Sequence, residues 1–390
     1  MTRLRILIFL LTVVVTTTIG YFVTQYARGY RLNQDTMEFG PHGLLVANSD
    51  PNGASVLING ELKTATNATI PLSPDTYDIT VKKEGFIPWN KRITISKEEV
   101  TQINVSLFAS VPSLSAVTFS GSYSPVVSPD STKILFAVLS ATNGDTEDKQ
   151  GLWILETVNL PLGFNREPRR ITDGNLTDAV WEWSPDSREI LLTTKTGTFL
   201  LQASEFTRQA QRVNVASQKQ IILSDWEEKK KVRLQAQLAK LPDELEDVFL
   251  FNTTNLQFSP DENKILYTAS GSASLKDGLI PPLPGSSTQK QERMIKDTKT
   301  YIFDIKEDRN FEIASVDQPI YWFPTSLHVI MPEENKISIM EYDGTNKQTV
   351  FTGSYVYPYA YSASNTNRLL ILTNFGADSA LSNLYSLSVK

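Results

Sequence analysis

One pattern recurs three times between residues 128 and 267, and its recurrence constrains the fold more than any other feature. Each copy begins with Ser-Pro-Asp, continues with three polar residues and ends in a short hydrophobic run. Pro presets the backbone angle φ and the Asp side chain can bond its own backbone, which favours a tight turn between two strands. Two degenerate copies without the Asp follow. The five copies lie at residues 128–136, 184–192, 259–267, 323–330 and 362–372.

Further hydrophobic segments predict additional strands in each repeat. A third strand is predicted at residues 151–155, 301–305 and 336–340, and a fourth at residues 169–172. Four strands per unit, repeated about five times, are typical of an all-β propeller. We therefore expect five or six blades over residues 112–390, with residues 114–119 placed to complete the final blade.

The repeat also resembles a known family. A Ser-Pro-Asp turn followed by a basic residue and a hydrophobic strand is the usual mark of TolB-like, or WD40-like, propeller repeats. That resemblance implies a propeller fold and contacts with other proteins, but it names no ligand. The loss of the Asp in the last two copies leaves the number of blades and their closure open.

Two insertions interrupt the repeats. Residues 224–250 carry Leu and Val at three- and four-residue spacing, which is the helical period. Pro242 would break a single helix there, although it is tolerated as the first residue of a second one. We expect two short helices on one propeller face, either packed on their own domain or docking a partner. Residues 276–296 contain a Pro-rich run and predict a flexible loop.

Before the repeats, residues 41–110 form a smaller module with a different pattern. Tyr77, Ile79 and Val81 alternate with polar residues, as in a half-buried strand. Several such runs, separated by turn signals such as Asn59-Gly60, predict a small β-sandwich of five to seven strands.

The same module resembles the PEGA domain. The name motif stands here as Pro51-Asn52-Gly53-Ala54, with Asn in place of the usual Glu. Supporting positions follow in order, among them Gly85-Phe86 and Trp89. The resemblance implies a β-sandwich of bacterial or archaeal surface proteins, and no catalytic residues are assigned to that family.

The N-terminus contains an apolar run over residues 6–23, between Arg3 and Arg5 on one side and Arg28 and Arg31 on the other. About 18 apolar residues can just span a bilayer as a helix. Its Thr hydroxyls can bond back to the helix backbone. We expect a transmembrane signal anchor over residues 1–30 and a linker over residues 31–40, with the N-terminus cytoplasmic and the bulk extracytoplasmic. A cleaved signal peptide is the alternative.

The composition limits the partners and the kinds of metal or catalytic site that the chain can have. The 390 residues carry a formal charge of -6 without a basic domain, which argues against a nucleic-acid partner. The chain has no Cys and its two His are His42 and His328, so thiolate and multi-His metal sites are excluded. The acidic loop at residues 143–148 could hold Ca²⁺, although a solvated loop is the better interpretation. No nucleophile elbow, P-loop or dinucleotide motif occurs.

We therefore predict a non-catalytic binding or scaffolding protein of the bacterial cell envelope, without cofactor, metal or catalytic residue. The expected partner is an envelope protein or a cell-wall glycan. The alternative is an enzyme that acts on extracellular polysaccharide or peptide in the propeller funnel. The candidate ligand-contact residues are Trp89, Trp181, Trp183 and Trp226.

Overall fold

The computed structural model describes residues 2–27, 30–32, 39–139, 149–157, 167–281, 287–315, 318–363, 367–377 and 381–390. The chain divides into two compact units. The N-terminal unit comprises Met1–Leu107 and Pro281–Lys290, and the C-terminal unit comprises Phe108–Ile280 and Gln291–Lys390. Both units are built mainly from β-strands, as predicted, and most of the strand pairs are antiparallel.

The first element is helix α1, Thr2–Ala27, which includes an apolar stretch over Arg5–Ala27. That stretch has a mean hydropathy of 2.4, and none of it is buried in the protein. Thr12 donates its hydroxyl to the Ile8 carbonyl at 2.8 Å, and the other described back-bonds of this kind are made by Thr16, Thr17 and Thr24. The predicted back-bonding is confirmed, and the helix is suited to be a membrane anchor or a signal peptide. The flanking Arg28 lies outside the described residues.

The rest of the N-terminal unit contains a two-strand ladder and a sandwich of seven strands. The sandwich sheets have the strand orders β6-β3-β9 and β5-β4-β7-β8, and β3 with β9 is a parallel pair. The strands are β1 Tyr30–Leu32, β2 Phe39–Pro41, β3 Gly43–Asp50, β4 Ser55–Ile58, β5 Glu61–Ala65, β6 Ala68–Leu72, β7 Asp75–Lys82, β8 Trp89–Ile95 and β9 Val100–Ser106. β1 pairs with β2.

One core lies between the two sandwich sheets. Leu45 and Val105 from one sheet pack against Val56, Ile79 and other buried side chains of the second sheet. The β4–β5 turn uses Asn59 and Gly60 with positive φ angles of 50° and 85°, which is the geometry of a tight hairpin turn. The prediction of a small module with five to seven strands and a hairpin at this point is confirmed.

In its described residues, the C-terminal unit contains five sheets of three or four strands, which we call sheets 1 to 5 in chain order, and one separate two-strand ladder. Their strand orders are β11-β12-β13-β14, β15-β16-β17, β18-β19-β22-β23, β24-β25-β26-β27 and β28-β29-β30-β10. The strands of sheets 1 and 2, with β10, are β10 Ser113–Ala116, β11 Tyr123–Val127, β12 Lys133–Val138, β13 Gly151–Glu156, β14 Arg169–Asp173, β15 Val180–Trp183, β16 Glu189–Thr194 and β17 Gly197–Gln202.

Sheet 3 comprises β18 Thr253–Phe258, β19 Lys264–Ala269, β22 Lys299–Asp304 and β23 Arg309–Ser315. The two-strand ladder that lies between β19 and β22 in the chain comprises β20 Ala273–Ser274 and β21 Met294–Ile295. Sheets 4 and 5 comprise β24 Tyr321–Trp322, β25 His328–Glu333, β26 Lys336–Glu341, β27 Gln348–Thr352, β28 Ala360–Ser362, β29 Arg368–Thr373 and β30 Asn383–Ser388. Because β10 pairs with β30, the first strand of this unit completes its last sheet, as predicted for residues 114–119.

The three intact Ser-Pro-Asp copies fold into the same turn. In the third copy, the Ser259 hydroxyl donates to Asp261 Oδ1 at 2.6 Å and accepts from the Lys264 amide at 2.9 Å. The Glu262 amide closes the turn on the Ser259 carbonyl, and Glu262 has a φ of 56°. The repeated sequence therefore specifies the repeated turn through side-chain bonds to its own backbone.

Neighbouring turns are also bonded to one another. The Asp130 amide in the first copy donates to Ser187 Oγ in the second at 3.1 Å. The Asp261 amide in the third copy donates to Ser326 Oγ in the fourth at 3.0 Å. Both serines are buried and hold positive φ angles. We call these two contacts serine bridges.

Hydrophobic faces join most of the sheets in pairs. One cluster contains residues of sheets 5 and 1, a second contains residues of sheets 1 and 2, and a third contains residues of sheets 3 and 4. Sheets 4 and 5 meet through Tyr321 and Tyr361, whose ring centroids lie 5.7 Å apart. Buried apolar side chains therefore lie on both faces of the sheets.

Two helices follow sheet 2, namely α2, Lys219–Leu238, and α3, Asp243–Phe251. Two helices were predicted here, but α2 begins at Lys219, five residues before the expected residue 224. Pro242 was expected as the first residue of the second helix and is instead its N-cap residue. In α3, Phe249 packs edge-on against Tyr267 of sheet 3 at 5.1 Å. The helices are therefore part of the core of the C-terminal unit.

The segment predicted as a flexible loop, residues 276–296, carries defined contacts in its described part. Arg293 contacts the buried carboxylate of Asp308 at 3.1 Å, and Gly278 donates its amide to the other oxygen of Asp308 at 2.9 Å. Farther along, Gln289 donates to the Arg92 carbonyl of β8 at 2.7 Å, within the N-terminal unit. Residues 282–286 lie outside the described residues, and the mobility of the segment stays a prediction.

Candidate functional site

A cavity of about 840 Å³ lies at the turn end of the C-terminal unit. Its wall is formed by the ends of the edge strands β11, β18, β24 and β28, by the turns that follow them, and by one face of α2. We call it the turn-end cavity. The lining residues that matter most below are Asp130, Arg233, Gln257, Glu262, Tyr321 and Tyr361.

Asp130 is one of the carboxylates of the turn-end cavity, and its turn engages it fully. It accepts the Ser128 hydroxyl at 2.5 Å, the Thr132 hydroxyl at 2.8 Å and the Thr132 amide at 3.0 Å. Burial acts to raise the pKa of Asp130, but these bonds and the Lys133 charge outweigh it and lower the pKa. Asp130 therefore stays ionised and is poorly suited to act as a general acid near neutral pH.

Glu262 lies where the third turn meets α2. Gln237 donates to its carboxylate at 2.9 Å, and Lys240 lies at 3.4 Å. The bond from Gln237, with smaller contributions from Lys240 and Arg233, lowers the pKa of Glu262 against the effect of burial. This carboxylate is also committed to partners inside the protein.

Arg233 differs from both carboxylates. Its side chain is exposed on α2 and lines the turn-end cavity. Among the described residues, its guanidinium makes no ion pair or hydrogen bond, although its charge acts on Glu262. The turn-end cavity therefore offers one cation whose five N–H donors are available to a ligand.

Aromatic rings form the wall that sheets 4 and 5 contribute. Tyr361 donates its hydroxyl to the Pro125 carbonyl at 2.9 Å, and Trp322 donates its ring N–H to the Gln257 carbonyl at 3.4 Å. Tyr321 is partly exposed, and its hydroxyl makes no hydrogen bond within the described part of the chain. Burial raises the pKa of Tyr321, and the phenols of Tyr357 and Tyr359, just before β28, raise it further, so it stays a neutral donor.

The four tryptophans predicted as ligand contacts are all buried. Trp89 lies in the sandwich core, Trp181 and Trp183 lie in the cluster between sheets 1 and 2, and Trp226 is one of the two buried residues of α2. Their exposed fractions are 3%, 5%, 6% and 4%. Trp183 donates to the Val126 carbonyl at 3.2 Å, a packing role. Ligand contact by these rings stays a prediction, and their burial does not favour it.

Sequence reasoning did not single out the residues of the turn-end cavity. Tyr321 precedes a degenerate copy of the repeat, and Arg233 lies within the charged helix. Tyr321 could have been found from the turn alignment, because the residues just before each turn fall at the same place in every sheet, whereas Arg233 lies on the inserted helix and could not. The cavity itself required the spatial arrangement of four sheets.

The other predicted chemistry is distributed over the molecule. His328 is buried, with its ring 5.3 Å from Phe108, and His42 contacts the Gly40 carbonyl in the N-terminal unit. Within the described ranges, no group of three His, Cys, Asp or Glu is placed to hold a metal ion. The acidic loop at residues 143–148 lies outside the described residues.

Comparison with protein families identifies the sandwich. The PEGA domain family model matches residues 42–110, so the chain contains a PEGA domain there. No curated protein matches the chain in sequence.

Among solved structures, the chain is similar to a protein described as TolB from Agrobacterium tumefaciens, at 11% identity and a TM-score of 0.24, over 68% of this chain and 77% of that one. It is similar to TolB from Acinetobacter baumannii at 11% identity and a TM-score of 0.20, over 81% and 60%. It is similar to Pyrococcus horikoshii acylaminoacyl peptidase at 13% identity and a TM-score of 0.22, over 70% and 39%. Scores this low carry no conclusion about what this chain binds.

Proposed function

We propose, for a chain that contains a PEGA domain and begins with an apolar helix, a non-catalytic binding role in the cell envelope. The helix holds the protein at the membrane, and both folded units lie outside it. The ligand is an envelope protein or a wall glycan, and it binds in the turn-end cavity.

We also infer that the five sheets are the blades of one propeller. The pairing of β10 with β30 and the bond from Tyr361 to the Pro125 carbonyl support closure between sheets 5 and 1. The helices α2 and α3 then occupy the place of a further blade between sheets 2 and 3. An experimental structure with an open ring, or with a sixth β-sheet in it, would contradict this arrangement.

The observation that carries the binding role is the composition of the turn-end cavity. Its carboxylates Asp130 and Glu262 are held by protein donors and have lowered pKa values. An enzyme that hydrolyses glycosides needs one carboxyl with a raised pKa. Binding needs instead a concave surface with aromatic rings and a few convergent polar groups, which the turn-end cavity provides.

The test uses the full chain in lipid nanodiscs, incubated separately with purified wall glycan and with solubilised envelope proteins. We expect retention of one of the two, weakened by Arg233→Ala and retained in Lys231→Ala, a change on the same helix outside the turn-end cavity. A second assay follows release of reducing ends and of new amino termini. Product formed by the wild type and lost in Asp130→Asn would favour the alternative, an enzyme acting on extracellular polysaccharide or peptide.

A further inference from the structure

We propose that the ligand of the turn-end cavity is a saccharide chain, an inference that rests on the proposed binding function. A saccharide presents C–H faces together with hydroxyls that both donate and accept. The turn-end cavity offers the complementary set, namely ring surface and uncharged polar groups with a single available cation.

The charge arrangement is the first support. The carboxylates of Asp130 and Glu262 are each paired with a lysine of the protein, Lys133 and Lys240. Because both carboxylates are paired, the Arg233 guanidinium is the charged group of the turn-end cavity that is available to a ligand. The turn-end cavity therefore suits a polar ligand that is neutral or carries isolated anionic groups, and it disfavours a densely charged one.

The wall of rings is the second support. The partly exposed ring of Tyr321 supplies the accessible surface of this wall, and it packs edge to face on Tyr361, which is buried like Trp322. Amphipathic rings of this kind present an apolar body and a polar tip. The Tyr321 hydroxyl, the exposed Gln257 amide and the Arg233 guanidinium surround that wall with hydrogen-bonding groups.

The shape of the neighbouring backbone argues against an extended peptide. Peptides that add to a sheet edge need a run of free backbone groups. Of the four edge strands at the turn-end cavity, β24 and β28 have only two and three residues, and β11 and β18 line it only with their last residues. Recognition here therefore depends on side chains, as a saccharide requires.

The experiment is isothermal titration of the full chain in nanodiscs with an N-acetylglucosamine hexamer and, separately, with soluble peptidoglycan strands. Arg233→Ala and Gln257→Ala remove two of the proposed contacts at exposed positions, so folding is retained. Lys231→Ala and Gln235→Ala make the same kinds of change on α2 outside the turn-end cavity. We expect a weakening of about tenfold for Arg233→Ala and about fivefold for Gln257→Ala, with the controls unchanged.

Binding of the peptidoglycan strands alone would assign the saccharide to the wall, and binding of both probes would assign the shared sugar units. Saccharide binding that the two cavity variants do not weaken would overturn the inference. Failure of both saccharides, while a discrete envelope protein is still captured in an Arg233-dependent manner, would overturn the inference and leave the binding role standing. Failure of every arm would overturn both.

Discussion

Sheets 1 and 2 are joined differently from sheets 2 and 3, and we call these two junctions passages. Both passages contain Ser-Pro-Asp turns, but the turns make different contacts in each. Between sheets 1 and 2, the Ser187 hydroxyl accepts the Asp130 amide, and Trp183 donates across to sheet 1. In the third copy the residue at the place of Ser187 is Glu262. Its longer, charged side chain instead contacts Gln237 of α2 and Lys240, which follows that helix.

This difference teaches how a repeat accommodates an insertion. A serine at the positive-φ position of a turn can bond the preceding turn directly, because its side chain is short and the two turns are adjacent. A glutamate at that position reaches a helix placed beside the turn. The pKa of Lys229 of α2 is raised chiefly by Asp225 on the same helix. Asp186 of the second turn and Glu189 just after it raise this pKa further, so α2 also interacts with the second turn.

The largest expected effect tests whether α3 is an integral part of the sheet 2 to sheet 3 passage. Phe249 is 2% exposed and packs on two rings of sheet 3, whereas Phe251 on the same helix is 77% exposed. We expect Phe249→Ala to lower the free energy of unfolding by about 3–5 kcal/mol, measured by urea titration of the full chain in detergent.

Phe251→Ala is the matched control, and we expect it to change that free energy by less than about 0.5 kcal/mol. Equal effects of the two substitutions would mean that α3 does not pack as a core element. The comparison between a direct and a helix-filled passage would then fail.

A smaller effect tests the serine bridges. Ser187→Ala leaves the Asp130 amide without its side-chain acceptor, and we expect a loss of about 1–3 kcal/mol in the same titration. Ser326→Ala should behave alike, since it makes the same contact with the Asp261 amide. Glu262→Gln, which weakens only an exposed ion pair, should lose under about 1 kcal/mol. A Glu262→Gln loss as large as that of Ser187→Ala would remove the distinction between the two kinds of passage.

The smallest effect concerns acid stability of the turns. Hydrogen bonds from Asn263 and Ser259, with the Lys264 charge, lower the pKa of Asp261 from 3.8 to about 2, although burial acts in the opposite direction. Because the folded pKa is depressed, the stabilisation is present above about pH 4 and is lost as the pH falls toward about 2.

We therefore expect Asp261→Asn to reduce stability at neutral pH by about 1 kcal/mol or less, given its exposure, and to flatten the fall in unfolding free energy between pH 4 and 2. Asp178→Asn serves as the control, since Asp178 is exposed and pairs only with Lys195 among the described contacts. An unchanged acid slope in Asp261→Asn would show that the turn does not depend on the ionised carboxylate.

Local order could be predicted from the sequence because its causes are local. The Ser-Pro-Asp turns, the Asn59-Gly60 hairpin and the two helices around Pro242 each follow from residues within one short window. The joining of β10 to the last sheet was also predictable, since one strand precedes the first repeat and the last repeat supplies only three strands of its own. The turn-end cavity was not, because its residues come from four sheets and a helix far apart in the chain.

The tryptophans show where composition misleads. Trp181 and Trp183 were chosen as large aromatics able to contact a ligand, but in β15 they alternate with the exposed residues Val180 and Glu182. The period of two places both rings on the buried face.

The pairing of β10 with β30 also sets the order in which the protein can be made. A ribosome supplies β10 long before β30, so the last sheet cannot be completed until the chain between these two strands has been made. Until then β10 has no partner in that sheet, and joining such distant strands is slow. In an exported chain the last sheet would therefore be completed only after β30 has crossed the membrane, and β10 would reach the far side without its partner strand.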